Sequence, residues 1–238
     1  RDTEVLGAPN LDEMMKRIEA IPLLYDPGTK WSYSVSVDIQ GYIVQKLSGQ
    51  KFGDYLKEHI FTPLGMNDTS FFVTDATKPR FTDVYHWDKD ANALVVNVDR
   101  PDRPGFDNPA RLESGGGGLV STTMDYARFS QMIANKGELD GVRILSPASV
   151  ELMGTNVIPK SVLVSSNGTS VARFNEAVGF GLDFQVVNDA RASGSLQGDG
   201  SISWGGAAGT WFWVDPSNDL IFVGMIQRMG GTGGDDLG

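Results

Sequence analysis

The segment that most constrains the fold is Asp215-Pro216-Ser217-Asn218-Asp219, which stands between two runs rich in β-branched and aromatic residues. The runs are Thr210 to Val214 and Leu220 to Gln227. Proline, serine, asparagine and aspartate favour tight turns, and strand-forming runs on both sides of such a turn predict a β-hairpin. Phe180 to Val187 has a similar composition and predicts a further strand. The end of the chain is therefore expected to form an antiparallel sheet.

The first two-thirds of the chain shows helical patterns instead. Capping residues precede apolar stripes at helical spacing, and glycine or proline follows them. Residues 74–113 are polar and proline-punctuated, with short strand-like pieces such as Ala93 to Val98, and a long loop of this kind often forms a wall of a binding site. The predicted helices begin near Asn10, Ser36 or Val37, Phe52, Ser121 or Thr122, and Ser146.

This change of pattern divides the chain into two regions. Residues 1–178 are predicted to form a mainly helical region, and residues 179–238 are predicted to form the antiparallel strands that complete a sheet. The expected class is an α/β (α+β) fold. The glycine-rich tail from Gly230 to Gly234 is expected to be a loop.

Composition excludes several classes of function. The 238 residues have a formal charge of −10 and a pI of about 4.6, so a nucleic acid is not an expected partner. The absence of cysteine and the presence of only two histidines exclude disulfides, thiolate metal sites and multi-histidine metal sites, and no cofactor is expected. No run of about eighteen apolar residues occurs, so no membrane span is expected. The charged start at Arg1 does not resemble a signal peptide, and the compartment stays open between bacterial cytoplasm and periplasm.

A search for a serine nucleophile within the chain rejects each candidate. No Gly-x-Ser-x-Gly elbow occurs. His59 is expected at the surface of a short helix, and no serine or acid is placed beside His86, so a Ser-His-Asp triad is not indicated. Ser48-Gly49-Gln50-Lys51 matches Ser-x-x-Lys, but Ser48 is expected to end a helix, whereas the motif needs its serine at the start of one.

Five segments follow one another in an order known from a family of enzymes. They are Pro27-Gly28 to Tyr33-Ser34, Gly41-Tyr42-Ile43 with Leu47-Ser48-Gly49, Pro63-Leu64-Gly65-Met66-Asn67-Asp68-Thr69, Gly115 to Thr122 with Asp125 to Phe129, and Trp204 to Thr210 with Val214-Asp215-Pro216. Together they resemble class C beta-lactamase-like serine hydrolases of the penicillin-recognising superfamily, and their motifs are most similar to family VIII carboxylesterases. The resemblance implies a beta-lactamase/transpeptidase-like fold, in which a helical region accompanies an antiparallel sheet.

The resemblance also implies a Ser-Lys-Tyr site. The family's tyrosine, a general base and acid, maps onto Tyr33. Its third motif, which is Lys-Thr-Gly in many lactamases and Trp-Gly-Gly in esterase relatives, maps onto Trp204, Gly205 and Gly206. The backbone N–H of Ala207 would be one oxyanion donor. The family's serine and lysine precede the tyrosine motif, so they are expected upstream of this chain or on a second polypeptide, and the chain alone is expected to be inactive.

Two departures from the lactamase pattern bear on the substrate. Val35 stands where class C lactamases have an asparagine that helps to hold the side-chain amide of the lactam. Trp204 stands where many have a lysine that can pair with the lactam carboxylate. Both changes leave an apolar wall, so the expected substrate is a small-molecule ester or acyl compound with an apolar acyl or alcohol group, hydrolysed through an acyl-enzyme.

Other functions on the same scaffold remain open alternatives. They are a beta-lactamase, a D-aminopeptidase, an acyltransferase, and a catalytically inactive relative that binds a ligand. Family members follow the last strand with a helix that packs on the sheet, whereas this sequence stops at Gly238. Three strands without partner strands and a covering helix would leave an open sheet edge and an uncovered sheet face. The sequence is therefore expected to be incomplete at both ends or to be completed by another polypeptide.

Overall fold

The computed structural model describes residues 4–33, 35–96, 105–165 and 174–229. Three sequence-based predictions fall outside these ranges: Ser34 of the tyrosine motif, the last two residues of the strand-like piece at 93–98, and the glycine-rich tail. Within the described ranges, no helix is both long enough and apolar enough to cross a membrane.

Local capping sets the boundaries of the helices. The Asn10 side chain accepts a hydrogen bond from the Glu13 N–H at 2.9 Å, and Thr122 and Ser146 cap later helices in the same way. Gly49 ends a helix in the left-handed conformation, at a φ of 71°. The predicted helix starts are therefore confirmed. The helices are α1 (Leu11–Glu19), α2 (Ser36–Ser48), α3 (Phe52–Leu56) with a π-helical continuation (Lys57–Phe61), α4 (Thr123–Ala134), α5 (Pro147–Met153), α6 (Lys160–Ser165) and α7 (Ala190–Ser193), with short 3₁₀ turns at Val5–Gly7 and Lys78–Arg80.

The strands of the described residues form three sheets. One is a three-stranded sheet in the order β10-β1-β2, where β1 pairs parallel with β10 and antiparallel with β2. Another is the ribbon of β3 and β4, and the main sheet joins β5 to β9 antiparallel in sequence order. The strands are β1 (Tyr85–Asp88), β2 (Ala93–Val96), β3 (Glu138–Leu139), β4 (Val142–Arg143), β5 (Val178–Phe180), β6 (Gln185–Val187), β7 (Ile202–Gly205), β8 (Thr210–Asp215), β9 (Leu220–Met225) and β10 (Arg228–Met229).

The strand predictions near the end of the chain succeed at one place and fail at another. The hairpin is confirmed, because β8 and β9 pair across the turn with Asp215 opposite Leu220. The single strand predicted over Phe180 to Val187 is wrong. A turn divides it into β5 and β6: the Gly181 N–H donates to the Phe184 carbonyl at 2.7 Å, and Asp183 has a φ of 63°. The main sheet thus has five strands within the described ranges.

The main core lies between the inner face of this sheet and α4, which packs on β8 and β9. Phe212 and Val214 of β8 are buried together with Met132 and Ile133 of α4. Burying each such side chain contributes roughly 1.5–3 kcal/mol. The ring of Tyr126 lies 5.0 Å from that of Phe212, and burial raises the pKa of Tyr126 above its ordinary value. The phenol is therefore a neutral part of the core.

A second core joins the first helices to the loop that follows them. Leu11 and Met14 of α1 are buried beside Phe52 of α3, Phe71 and Leu112. Because these residues are far apart in the sequence, their burial packs α1 and α3 against the segments around Phe71 and Leu112. Helix α2 contacts both α1 and α3.

A buried carboxylate connects the segment around Thr69 to α4. Asp125 accepts hydrogen bonds from the Asp68 N–H at 2.8 Å and from the Thr69 hydroxyl at 2.9 Å. Asp68 in turn pairs with both outer nitrogens of Arg80, which lowers the pKa of Asp68 and raises that of Arg80. These hydrogen bonds hold the segment around Thr69 against the first turn of α4.

The β8–β9 turn is organised by the buried carboxylate of Asp215. It accepts hydrogen bonds from the Asn218 side chain at 2.8 Å and from the N–H groups of Gly198, Ser217 and Asn218 at 2.8 to 3.1 Å. Burial by itself raises the pKa of Asp215, but these hydrogen bonds outweigh burial and hold the pKa below its ordinary value. The carboxylate therefore ties the hairpin to the loop that precedes β7.

We expect Asp215→Asn to lower the free energy of unfolding at pH 7 by about 1–3 kcal/mol, because an amide group cannot accept all four hydrogen bonds. The difference from the wild type should be full above about pH 4 and should shrink as the pH falls through the folded-state pKa, since protonation removes the same acceptor in the wild type. Urea denaturation at several pH values measures both effects. Asp219→Asn is the control, because Asp219 is exposed in the same turn and asparagine tolerates its φ of 52°. An equal loss in both variants, or no pH dependence, would contradict the assignment.

Candidate active site

Tyr33 lies on the loop that leads into α2, and its side chain is 62% exposed. Its ring stacks on that of Trp204, with ring centroids 5.8 Å apart and planes at 26°. It also stacks on Trp31 at 6.2 Å. Lys30 does not accompany it, since its ammonium lies over the ring of Tyr25 at 4.5 Å. Tyr33 therefore presents a phenol to solvent while its ring is held by two neighbours.

The segment from Trp204 to Ala207 runs from the end of β7 into a tight turn. Trp204 pairs with Phe212 and Gly205 with Trp211 across β7 and β8. The Gly206 N–H donates to the Thr210 carbonyl at 2.6 Å, which closes the turn. A Cβ at Gly206 would lie 2.3 Å from the Thr210 hydroxyl, so a side chain there would have to displace Thr210.

Ala207 is exposed at the tip of this turn. Its backbone N–H donates to no acceptor among the described residues. Beside it, β6 pairs with β7 only at Ile202 and Ser203, so Gly205 has a strand partner on the β8 side but none on the β6 side among the described residues. An N–H group without an acceptor in the described residues can donate a hydrogen bond to a ligand oxygen.

Aromatic rings surround the Tyr33–Trp204 pair. The ring of Phe180 lies 5.4 Å from that of Trp204 and 5.1 Å from that of Trp31, both in edge-to-face geometry. Phe174 contacts Trp31 at 5.0 Å. Val35, the N-cap residue of α2, is half-buried and provides no side-chain cap hydrogen bond. Trp31, Phe174 and Phe180 were not predicted as site residues, since nothing local in the sequence marks them as neighbours of Trp204.

The nucleophile candidates rejected from the sequence have structural positions that agree with their rejection. Ser48 is the last residue of α2, and its hydroxyl donates to the Val44 carbonyl at 2.7 Å. Lys51 pairs with the buried Glu113 carboxylate at 2.9 Å. His59 is exposed beside the ring of Tyr55, and His86 lies in β1.

A protein-family model described as Beta-lactamase matches residues 2–237. The chain belongs to the beta-lactamase family. The resemblance found in the five sequence segments is thus confirmed. The topology of helices and antiparallel sheet is the beta-lactamase/transpeptidase-like fold that this resemblance predicts.

Relatives of this beta-lactamase family member have diverse descriptions. An uncharacterized protein from Mycobacterium tuberculosis is 36% identical over 220 residues, which cover 91% of this chain and 53% of the relative. Esterase EstB from Burkholderia gladioli is 26% identical over 219 residues, which cover 87% of this chain and 52% of the relative. The chain therefore spans about half the length of these curated relatives.

Solved structures support the fold assignment for this beta-lactamase family member. The structure described as EstCE1, a hydrolase with promiscuous acyltransferase activity, superposes with a TM-score of 0.77 at 23% identity. The superposition covers 94% of this chain and 59% of that chain. At this identity, the likeness concerns the fold.

In this beta-lactamase family member, a buried carboxylate joins α2 to the glycine segment that begins at Gly115. Asp38, in the first turn of α2, accepts hydrogen bonds from the Ser114 hydroxyl and from the Gly116 N–H at 3.3 Å. Gly115 lies so close to α2 that a Cβ would be 2.4 Å from the Val37 carbonyl oxygen. Because α2 begins three residues after Tyr33, these contacts also hold the tyrosine loop. The sequence displays the glycines but does not reveal that Asp38 is their partner.

We expect Gly115→Ala to lower the free energy of unfolding by about 1–3 kcal/mol, because the new methyl group must push the glycine segment away from α2. Gly117→Ala is the matched control: a Cβ at Gly117 has no neighbour within 4 Å, and the expected change is under about 0.5 kcal/mol. Urea denaturation of both variants measures the difference. Equal stability of the two variants would show that the close contact at Gly115 is not a constraint.

Proposed function

We propose that this protein is a Ser-Lys-Tyr serine hydrolase that acts as a carboxylesterase through an acyl-enzyme, with the serine and lysine encoded upstream of Arg1. The proposal rests on one observation: Tyr33 and Trp204, from motifs far apart in the sequence, stack against each other beside the turn that exposes the Ala207 N–H. In this proposal, Tyr33 is the base, Trp204 is a wall of the substrate pocket and the Ala207 N–H is an oxyanion donor.

The first half of the proposed reaction forms the acyl-enzyme. In the proposed mechanism Tyr33 starts as the phenolate, with the lysine cation beside it. The serine hydroxyl attacks the ester carbonyl carbon while the Tyr33 phenolate takes the serine proton and becomes the phenol, and the carbonyl oxygen becomes an oxyanion. The Ala207 N–H donates a hydrogen bond to this oxyanion, and such a donor is typically worth about 10²–10³ in rate. The tetrahedral intermediate then collapses, the C–O bond to the alcohol breaks, and the leaving oxygen takes the proton from Tyr33.

The second half restores the enzyme. Water attacks the acyl-serine and passes a proton to Tyr33, and the same N–H group stabilises the second oxyanion. When this intermediate collapses, the carboxylic acid leaves and the serine oxygen regains the proton from Tyr33. Tyr33 therefore acts as base in each attack and as acid in each departure.

The side chains around Tyr33 favour an ester with apolar groups over a beta-lactam. Val35 supplies no hydrogen bond for a side-chain amide, and Trp204 supplies no charge for a ligand carboxylate. A ligand carboxylate that binds against aromatic rings loses its hydration, and without a nearby cation this loss makes the free energy of binding unfavourable. An apolar acyl or alcohol group loses no such hydration and gains contact with the rings.

We expect Tyr33→Phe to lower kcat/KM for p-nitrophenyl butyrate at least 100-fold, because loss of a general acid–base group typically costs about 10²–10⁴ in rate. The assay uses protein expressed from its complete gene. Because Tyr33 is mostly exposed, the variant should keep its unfolding free energy within about 0.5 kcal/mol. Tyr25→Phe is the control, since it removes a hydroxyl from the same loop while keeping the ring that faces Lys30.

Each alternative outcome points to a different conclusion. A rate for Tyr33→Phe within threefold of the wild type would show that Tyr33 is not the base. A chromogenic cephalosporin turned over with a higher kcat/KM than the ester would favour the beta-lactamase alternative. Absence of any turnover by wild-type protein would favour the inactive, ligand-binding relative.

A further inference from the structure

A cavity of about 570 Å³ opens beside the aromatic rings of the candidate active site. Its volume lies within the range of about 300–1,000 Å³ that is typical of small-molecule sites. An apolar cavity of about 150 Å³ already accommodates benzene, so this one has room for a group much larger than an acetyl. Its apolar lining consists mainly of Trp31, Val157, Ile158, Val162, Phe180 and Leu182.

The cavity and the Tyr33–Trp204 pair share a wall. Trp31 lines the cavity and stacks on Tyr33, while Phe180 lines the cavity and contacts the edge of Trp204. Trp31 and Phe180 also contact each other at 5.1 Å. A substrate whose carbonyl lies between Tyr33 and Ala207 would therefore be next to the cavity, and the side chains of Trp31 and Phe180 would form the wall between them.

The charges at the cavity suit a neutral occupant. Among the described residues, Lys30 and Asp183 are the charged members of the lining, and their formal charges cancel. Asp183 accepts a long hydrogen bond from the Gln40 side chain at 3.5 Å. The remaining lining consists mainly of hydrocarbon and aromatic side chains, so burial of a neutral apolar group is favourable there.

Leu182 is the side chain best placed to control the size of the cavity. It lies in the turn between β5 and β6 and is 42% exposed. A residue outside the cavity lining fixes the Leu182 backbone, because the Leu182 N–H donates a hydrogen bond to the Met153 carbonyl at 3.1 Å. A larger side chain at this position can enter the cavity without replacing a core residue.

We propose that this cavity binds a bulky, neutral apolar group of the substrate, such as a phenylalkyl group, and that Leu182 limits the size of that group. The inference rests on the proposed esterase function for its catalytic consequence. The binding of an apolar molecule in the cavity does not depend on catalysis. The two can therefore be tested separately.

The first measurement is a fluorescence titration with the neutral probe N-phenyl-1-naphthylamine, using protein expressed from its complete gene. Leu182→Trp should raise the dissociation constant of the probe at least tenfold, because the indole fills the space. Leu196→Trp is the matched control, since Leu196 is 94% exposed and does not line the cavity, and it should leave the dissociation constant unchanged. Circular dichroism and the thermal midpoint verify that both variants are folded.

The second measurement compares small and bulky esters. One series pairs p-nitrophenyl acetate with p-nitrophenyl 4-phenylbutanoate, and the other pairs ethyl acetate with 4-phenylbutyl acetate. The ratio of kcat/KM for the bulky ester to that for the small ester should fall at least tenfold in Leu182→Trp in one series. A fall in the first series places the acyl group in the cavity, and a fall in the second places the alcohol group there.

The outcomes separate this inference from the proposed function. Equal probe binding by wild type, Leu182→Trp and Leu196→Trp would overturn the inference, as would unchanged ester ratios in both series. Probe binding that depends on Leu182, without hydrolysis of any ester by the wild type, would support the cavity as an apolar binding site and refute the esterase function.

Discussion

Burial of the inner face of the main sheet against α4 is the interaction on which the rest of the structure depends. Phe212 and Val214 of β8 face α4, while Trp211 and Trp213 alternate to the opposite face. Because β7 is hydrogen-bonded along β8, fixing β8 against α4 also fixes the end of β7. The position of Trp204 and of the turn after it therefore follows from core packing some distance away.

Tyr33 is held from a different direction. The first turn of α2 is held by hydrogen bonds from Ser114 and Gly116 to the buried Asp38 carboxylate. Gly115 also packs closely against the backbone of this turn. The sheet positions Trp204 and the helical region positions Tyr33, and the two side chains meet in a stacked contact. Neither region forms the candidate site alone, since each contributes one side of it.

The apolar surroundings of this contact are the reason that we propose an ester and not a beta-lactam as the substrate. The resemblance to class C lactamases places Trp204 and Val35 where those enzymes have polar side chains, and Trp31 and Phe180 line the adjacent apolar cavity. The functional proposals both follow from this continuous surface. Apolar substrate groups gain free energy when they are buried against such a surface, whereas charged groups lose hydration there without gaining an ion pair.

The sequence by itself determined the starts of α1 to α5, the β8–β9 hairpin and the family motifs, because caps, turns and motifs depend on neighbours within a few residues. The short helices α6 and α7 were not predicted. The sequence also missed the turn that divides residues 180–187 and the parallel pairing of β1 with β10, since neither has a strong local pattern. Only the tertiary structure decided that Tyr33 stacks on Trp204, that Gly115 lies against α2, and that Trp31 and Phe180 line one cavity. These features depend on side chains that are distant in the sequence, whose contacts are set by packing and not by local propensity.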